Sequence, residues 1–316
     1  MRKMALDMVL ELARRDPRVV FMGSDLGAGV MDGFKAEWPE RFFMEGISEA
    51  HLVGMAAGLA LEGKIVYLNT IATFLTRRCF EQIVLDLCLH QAKVRLIASG
   101  GGVVYAPLGP THEAIEDLAI LRALPGMTVL APADATEMAR LMPLTLDHPG
   151  PIYLRLGKGG DPVITDPGQP FRIGRLFPLK PGRDLLLVTT GTTGKVALDA
   201  AALLDAEGLR TGVLHVPTLK PLDAEGLLAA MAPCPAVVTL EEHVRTGGLG
   251  SAVAEVLAEA GWTAPKRFLR LGLPDAFPSR YGSQASLMAH FGLTPEGVAG
   301  RCLALSRPSA GLRSSP

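Results

Sequence analysis

The stretch RFFMEGISEAHLVGMAAGLALEGKIVYLNT, residues 41–70, holds two kinds of pattern in succession. From Glu49 to Glu62 the residues are almost wholly apolar and small, over a length that suits a helix. From Lys64 to Thr70 a short apolar run reads as a strand. A helix feeding a strand that is apolar on both faces is the unit of a parallel sheet covered by helices. The same stretch raises a chemical question. Glu49 places a carboxylate at the head of an Ala- and Gly-rich helix, just before the hydrophobic run. Such a charge is favoured by the helix dipole wherever a helix begins. A helix this apolar packs tightly on its neighbours or on another chain, so the carboxylate is also a candidate for desolvation and for a hydrogen bond to a ring nitrogen.

The pattern repeats outward in both directions. Residues 18–23, 64–70, 93–99, 127–132 and 151–156 read as strands, and 4–15, 49–62, 80–92 and 135–147 as helices. Leu6, Val9, Leu10 and Ala13 keep the spacing of one helix face. Residues 157–183, dense in glycine and proline, break the rhythm and read as a crossing between domains. A second unit follows, with strands at 184–191, 210–217 and 236–243 and helices at 195–208, 223–232 and 248–261. The expected fold is α/β with two mainly parallel sheets covered by helices: a first domain over 1–160, a linker over 161–183, a second domain over 184–306 and a frayed tail over 307–316.

Composition narrows the function. Lys and Arg number 31 against 32 Asp and Glu, so no basic excess asks for nucleic acid. The four cysteines, Cys79, Cys88, Cys234 and Cys302, lie far apart without a CxxC pair, which signals neither a zinc site nor a disulfide framework and fits a reduced cytoplasm. No apolar run reaches the roughly 18–20 residues of a membrane span, and the N-terminal residues alternate charge with apolar side chains, unlike a signal peptide.

Two further stretches join Glu49 as candidates. In TIATFLTRRCFEQI (70–83), Phe74 and Phe80 can wall a planar ring with an arginine aimed into the same cleft, or be core aromatics beside solvated arginines. In GGGVVYAPLGPTHEAIEDLAILRALPG (100–126), His112 stands in a Gly/Pro loop between a strand and a helix, where open α/β sheets place ligands. A structural histidine is the equal alternative.

Taken together, RFFMEGISEAHLVGMAAGLAL, TFLTRRCFEQI and GPTHEAIEDLAILRALPGMTVLAPAD resemble the pyrimidine-binding domain of the transketolase family of thiamine-diphosphate enzymes. EEHVRTGGLGSAVAEVLAE (241–259) and FGLTPEGVAGRC (291–302) resemble that family's C-terminal domain, so the resemblance covers nearly the whole chain in the family's order. The Gly-Asp-Gly and downstream Asn that hold magnesium and diphosphate in the family are missing, and the one asparagine is Asn69. The chain therefore looks like the C-terminal subunit of a split transketolase. A separate N-terminal subunit would carry the diphosphate and Mg2+ site, in an assembly expected to be α2β2.

The resemblance also implies roles. Glu49 matches the glutamate that hydrogen-bonds N1′ of the aminopyrimidine of thiamine diphosphate, favouring the tautomer whose nitrogen takes the thiazolium C2 proton. Phe74 matches the aromatic stacked on that ring, Phe80 its neighbour, and Arg77 an arginine found here in 1-deoxyxylulose-5-phosphate synthase. His112 matches the histidine of the GPTH segment facing the reacting centre, Arg155 a substrate-phosphate arginine, and Asp25 an aspartate bordering the cofactor. Leu108 replaces an acidic residue that reads sugar hydroxyls, and Ser99–Gly102 lacks the family's basic residue, so the sugar phosphates accepted are expected to be shorter or less hydroxylated. The rival readings are a 2-oxoacid dehydrogenase β subunit, a 1-deoxyxylulose-5-phosphate synthase-like enzyme, and a non-catalytic scaffold or regulatory subunit.

Overall fold

A computed structural model describes residues 1–24, 29, 31–157 and 159–306. The expected tail and Asp25 lie outside these residues. The first half runs α1 (Arg2–Arg15), β1 (Val19–Gly23), α2 (Asp32–Glu37), β2 (Phe42–Met44), α3 (Glu49–Leu61), β3 (Ile65–Ile71), α4 (Ala72–Arg78), α5 (Phe80–Gln82), β4 (Val94–Ser99), α6 (Asp117–Arg122), β5 (Thr128–Leu130), α7 (Ala135–Thr145) and β6 (Ile152–Leu156). The second half runs β7 (Phe177–Lys180), β8 (Leu185–Thr189), α8 (Thr193–Ala206), β9 (Thr211–His215), β10 (Thr218–Lys220), α9 (Ala224–Met231), β11 (Ala236–Val244), α10 (Leu249–Glu259), β12 (Arg267–Leu273), α11 (Gln284–His290) and α12 (Pro295–Ser306).

Two mainly parallel sheets result, in the orders β10-β5-β6-β4-β3-β1-β2 and β12-β11-β8-β9-β7. Register in the first sheet sets Val20 opposite Val66, Leu68 opposite Leu96 and Leu96 opposite Tyr153. The strands are apolar on both sides because both faces are covered. Val20, Met22, Val66, Leu68 and Leu96 meet Leu52, Val53 and Ala56 of α3. Val19, Phe21, Ile65, Tyr67 and Ile97 meet Leu6, Val9 and Leu12 of α1 and Met138 and Leu141 of α7. Alternation along each strand thus serves two cores rather than one core and water.

The halves interlock more than a linear division suggests. β10, from the second half of the chain, pairs antiparallel with β5 at the edge of the first sheet. The expected linker 161–183 is in part a strand, since β7 pairs antiparallel with β9. Asp134 caps α7 through the Glu137 amide and also accepts from the amides of Ile164 and Thr165, which ties this connection to the first domain. The α3-side core continues into the second sheet through Leu186, Val188 and Leu214. Buried His215 of β9 and Glu137 of α7 bond across the junction at 2.9 Å.

The helix expected over 80–92 is a correction of detail. It begins as α5 and continues as a π-helical turn, Ile83–Leu89, which buries Ile83, Leu87 and Cys88 and leaves Leu85 and Leu89 exposed. Among the described residues, no helix is long and apolar enough to cross a membrane.

Candidate active site

Strand order fixes where a ligand can enter. From β1 the chain moves outward to β2 and then crosses back to β3 on the other side of β1, so the connections diverge between β1 and β3. Open α/β sheets bind ligands at the carboxyl ends of the strands at such a switch point. Ser24 follows β1, α3 joins β2 to β3 with Glu49 as its first residue, and α4 starts directly after β3.

Glu49 is 3% exposed although it opens a helix. Ser24 Oγ donates to its Oε1 at 3.2 Å and Arg78 Nη1 donates to its Oε2 at 3.1 Å. Arg78 is 48% exposed at the side chain, and its guanidinium carbon lies 3.9 Å from the centroid of the Phe74 ring. Phe74 and Arg78 are four residues apart and share a face of α4, which brings the cation over the ring. On from Phe74, the His112 ring stands edge-on, with centroids 5.0 Å apart. Glu49, Arg78, Phe74 and His112 therefore form a continuous row.

His112 is held by its loop. Gly102 and Ala114 exchange two backbone hydrogen bonds, at 2.8 and 2.9 Å, and the His112 amide donates to Gly109 O at 2.9 Å. Thr111 Oγ1 lies 2.9 Å from His112 Nδ1, which leaves Nε2 as the ring nitrogen without a partner among the described residues. The glycine run 100–102 is a close-packing device rather than a phosphate cradle. A Cβ on Gly101 would meet Arg155 Cγ at 2.5 Å, and one on Gly102 would meet the Glu242 carboxyl carbon at 2.6 Å.

Arg77, expected in the cleft, points the other way. It pairs with Glu116 through Nε and Nη2 and donates to the carbonyls of Pro110 and Glu113, at 3.1 and 2.9 Å. Phe277, from the loop after β12, lies 5.8 Å from its guanidinium, and Tyr281 packs against Gly109. Arg77 is thus a brace on the His112 loop, and the arginine at the cleft is Arg78. The signal for Arg78 was the four-residue spacing from Phe74. Phe80, half-exposed, opens α5, which packs on α3.

Arg155 also differs from expectation. It is 7% exposed; Nε donates to Asp117 Oδ2 at 2.8 Å and Nη2 to the carbonyls of Ala114 and Glu242, at 3.0 and 2.9 Å. The crevice it lines has a volume of ≈ 10 Å³, water-sized and too small for a phosphoryl group. In this structure Arg155 is an interior clamp between the two halves. Leu108 is half-exposed on a short turn, and Ser99 is buried, its Oγ accepting from Asn69 Nδ2 at 3.1 Å.

Two neighbouring groups are out of the ordinary. Glu113 is fully buried with neither carboxylate oxygen hydrogen-bonded, and burial pushes its pKa up to about 7; Arg77 opposes the rise and Glu242 adds to it. The Cys79 thiol, beside the row, is pushed up to about 12 by burial, with the Glu49 charge adding to the rise and Arg78 opposing it, which disfavours the thiolate. The four cysteines are buried and unpaired.

The residues present fit the flat, hydrogen-bonding end of a thiamine cofactor: a buried carboxylate beside an aromatic face. They do not supply a metal site. Among the described residues no cluster of three or more His, Cys, Asp or Glu could hold a metal ion. Asn69 has its amide donor engaged by Ile97 O and Ser99 inside the sheet.

Comparison with known proteins agrees with this layout. Residues 1–160 match the family described as "Transketolase, pyrimidine binding domain" and residues 174–298 the one described as "Transketolase, C-terminal domain". The chain is 36% identical over 299 residues to a subunit of the apulose-4-phosphate transketolase of Phocaeicola vulgatus, covering 94% of each protein. It is 39% identical over 302 residues to 1-deoxy-D-xylulose-5-phosphate synthase of Symbiobacterium thermophilum, covering 95% of this chain and 46% of that enzyme. Among solved structures, a split-gene transketolase described as an inactive beta4 tetramer superposes with a TM-score of 0.88 at 38% identity, covering 97% of this chain and 99% of that one. The chain belongs to the transketolase family, with that family's pyrimidine-binding and C-terminal domains.

Proposed function

We propose that this chain is the C-terminal subunit of a split transketolase, contributing the pyrimidine side of a thiamine-diphosphate site that transfers two-carbon ketol units between sugar phosphates. The observation that carries the reading is the buried Glu49 carboxylate, joined to the Phe74 ring through the Arg78 guanidinium, at the switch point of the first sheet. When bound, the cofactor supplies the electron sink for carbon–carbon cleavage. Glu49, buried at the head of α3 and bonded by Ser24, would hold N1′ of the aminopyrimidine by a hydrogen bond and stabilise its proton. Phe74 offers the stacking face. His112 presents Nε2 beyond that face for proton transfer to substrate oxygen, and Arg77 fixes its loop through Pro110 and Glu113.

The diphosphate and Mg2+ fall to a separate N-terminal subunit, because the sequence lacks a Gly-Asp-Gly motif and its one asparagine, Asn69, lies buried inside β3. Relatives of matching length that are themselves named as transketolase subunits support that division. An apolar face supports association: Met44, Ile47, Phe80 and Leu89 are exposed on or near α3 and α5, with Ile47 at 73%. The assembly we expect is α2β2. Substrate phosphate is read outside Arg155, by the companion chain.

The test is reconstitution. Thiamine diphosphate with Mg2+ is titrated calorimetrically into this chain, into the companion, and into their mixture. The reading predicts tight binding and ketol transfer in the mixture and neither with this chain alone. Full activity of this chain by itself contradicts it.

A further inference from the structure

We propose that the Arg78 side chain is a built-in occupant of the aminopyrimidine position, filling it in the cofactor-free chain and swinging aside when the cofactor enters. This rests on the functional reading above and adds to it a competitor within the site. Two contacts define the position. One is the face of Phe74, covered by the guanidinium carbon at 3.9 Å. The other is Glu49 Oε2, which accepts from Arg78 Nη1 at 3.1 Å. A guanidinium is planar, delocalised and edged with N–H donors. A protonated or imino aminopyrimidine is also flat and also presents an N–H at its rim. The two groups satisfy the same carboxylate oxygen and the same aromatic face, and they cannot do so together.

The surroundings distinguish a removable occupant from a fixed one. Arg78 is 48% exposed at the side chain, and Glu49 is its one ion-pair partner among the described residues. Its neighbour Arg77 is pinned by Glu116 and two carbonyls, and Arg155 by Asp117 and two carbonyls. Arg78 lies at the last position of α4, so its side chain can leave the ring without unwinding a helix. While it is in place, it keeps the Glu49 carboxylate paired and the Phe74 face covered, and leaving either bare in an empty site would be unfavourable.

The experiment uses the full chain assembled with its companion subunit, with thiamine diphosphate and Mg2+ as the probe and calorimetric Kd as the readout. Removing the competitor in Arg78→Ala tightens binding about three- to tenfold, the range expected from an exposed ion pair and a cation–π contact together. Arg78→Met, which keeps length but neither plane nor charge, tightens it similarly and guards against a folding defect in the first variant. A second readout needs no variant. Arginine-specific dicarbonyl labelling read by mass spectrometry should modify Arg78 faster when the cofactor is bound, because the guanidinium has been expelled from the ring. Unchanged binding in both variants overturns the proposal, and weaker binding in both, or protection of Arg78 on cofactor binding, overturns it by making Arg78 a direct cofactor ligand. If the wild-type assembly fails to bind thiamine diphosphate, the functional reading falls, and the proposal with it.

Discussion

Two arginine–carboxylate pairs in this chain look alike as sequence and differ as physics. Arg78 and Glu49 meet at 3.1 Å with the arginine half in solvent; Arg155 and Asp117 meet at 2.8 Å with side chains 7% and 0% exposed. Around Asp117 the bonds converge on one buried oxygen, since Tyr153 Oη also donates to Oδ2 at 2.7 Å while Oδ1 has no partner among the described residues, and Arg155 Nη2 reaches carbonyls in both halves of the chain. Around Glu49, Ser24 is the one further partner among the described residues. A network closed to water holds architecture, and a pair open to water can exchange one partner for a ligand. Exposure, rather than residue type, separates the two roles.

The comparison breaks most visibly at the closed pair. Arg155→Met strands Asp117 without its cation and should destabilise the chain by about 3–5 kcal/mol in urea unfolding. A loss under about 1 kcal/mol would put Arg155 back among candidate ligand-binding residues. Near Arg77 and Glu242 lies Glu113, buried and without a hydrogen bond at either oxygen, with its pKa raised to about 7. The sign follows from the folded state binding its proton more tightly than the unfolded chain. Stability is retained below the ordinary value of 4.5 and falls as pH rises to about 7, where the buried group ionises. Glu113→Gln should therefore raise stability at pH 8 by about 1–3 kcal/mol and flatten the profile between those limits. An unchanged profile would mean that the carboxylate is paired in solution. At the open pair the expected effect on stability is smallest. Arg78→Ala should move the unfolding free energy by no more than about 1 kcal/mol, and a larger loss would show Arg78 to be a structural clamp like Arg155.

Much of the fold was legible in the sequence, because parallel strands buried on both faces read as continuous apolar runs and the intervening helices keep their own period. The strands left unread lie at sheet edges: Phe42–Met44, Phe177–Lys180 and Thr218–Lys220 carry three or four residues each, too few to show a period, and Arg267–Leu273 is longer but half-covered and broken by two arginines. Thr218–Lys220 pairs with a strand of the other domain, which no local pattern can announce. At the site, the sequence singles out Glu49, Phe74 and His112 by type and context, and these side chains lie in one row with Arg78. The spacing from Phe74 favours Arg78, but where Arg77 goes was not readable: one step along α4 turns the side chain by about 100°, and its partner Glu116 is 39 residues away. Arg155 carried a readable clue: it lies two residues from Tyr153 on one face of β6, and both side chains meet Asp117.

The most direct test of the central claim follows the C2 proton of thiamine diphosphate. In the assembly of this chain with its companion, exchange of that proton for deuterium is timed by rapid-quench NMR for wild type and for Glu49→Gln. The account predicts a loss of at least about 10²-fold in the exchange rate in the variant, the scale of a removed acid–base partner, with the cofactor still bound. An exchange rate equal to that of wild type would contradict it.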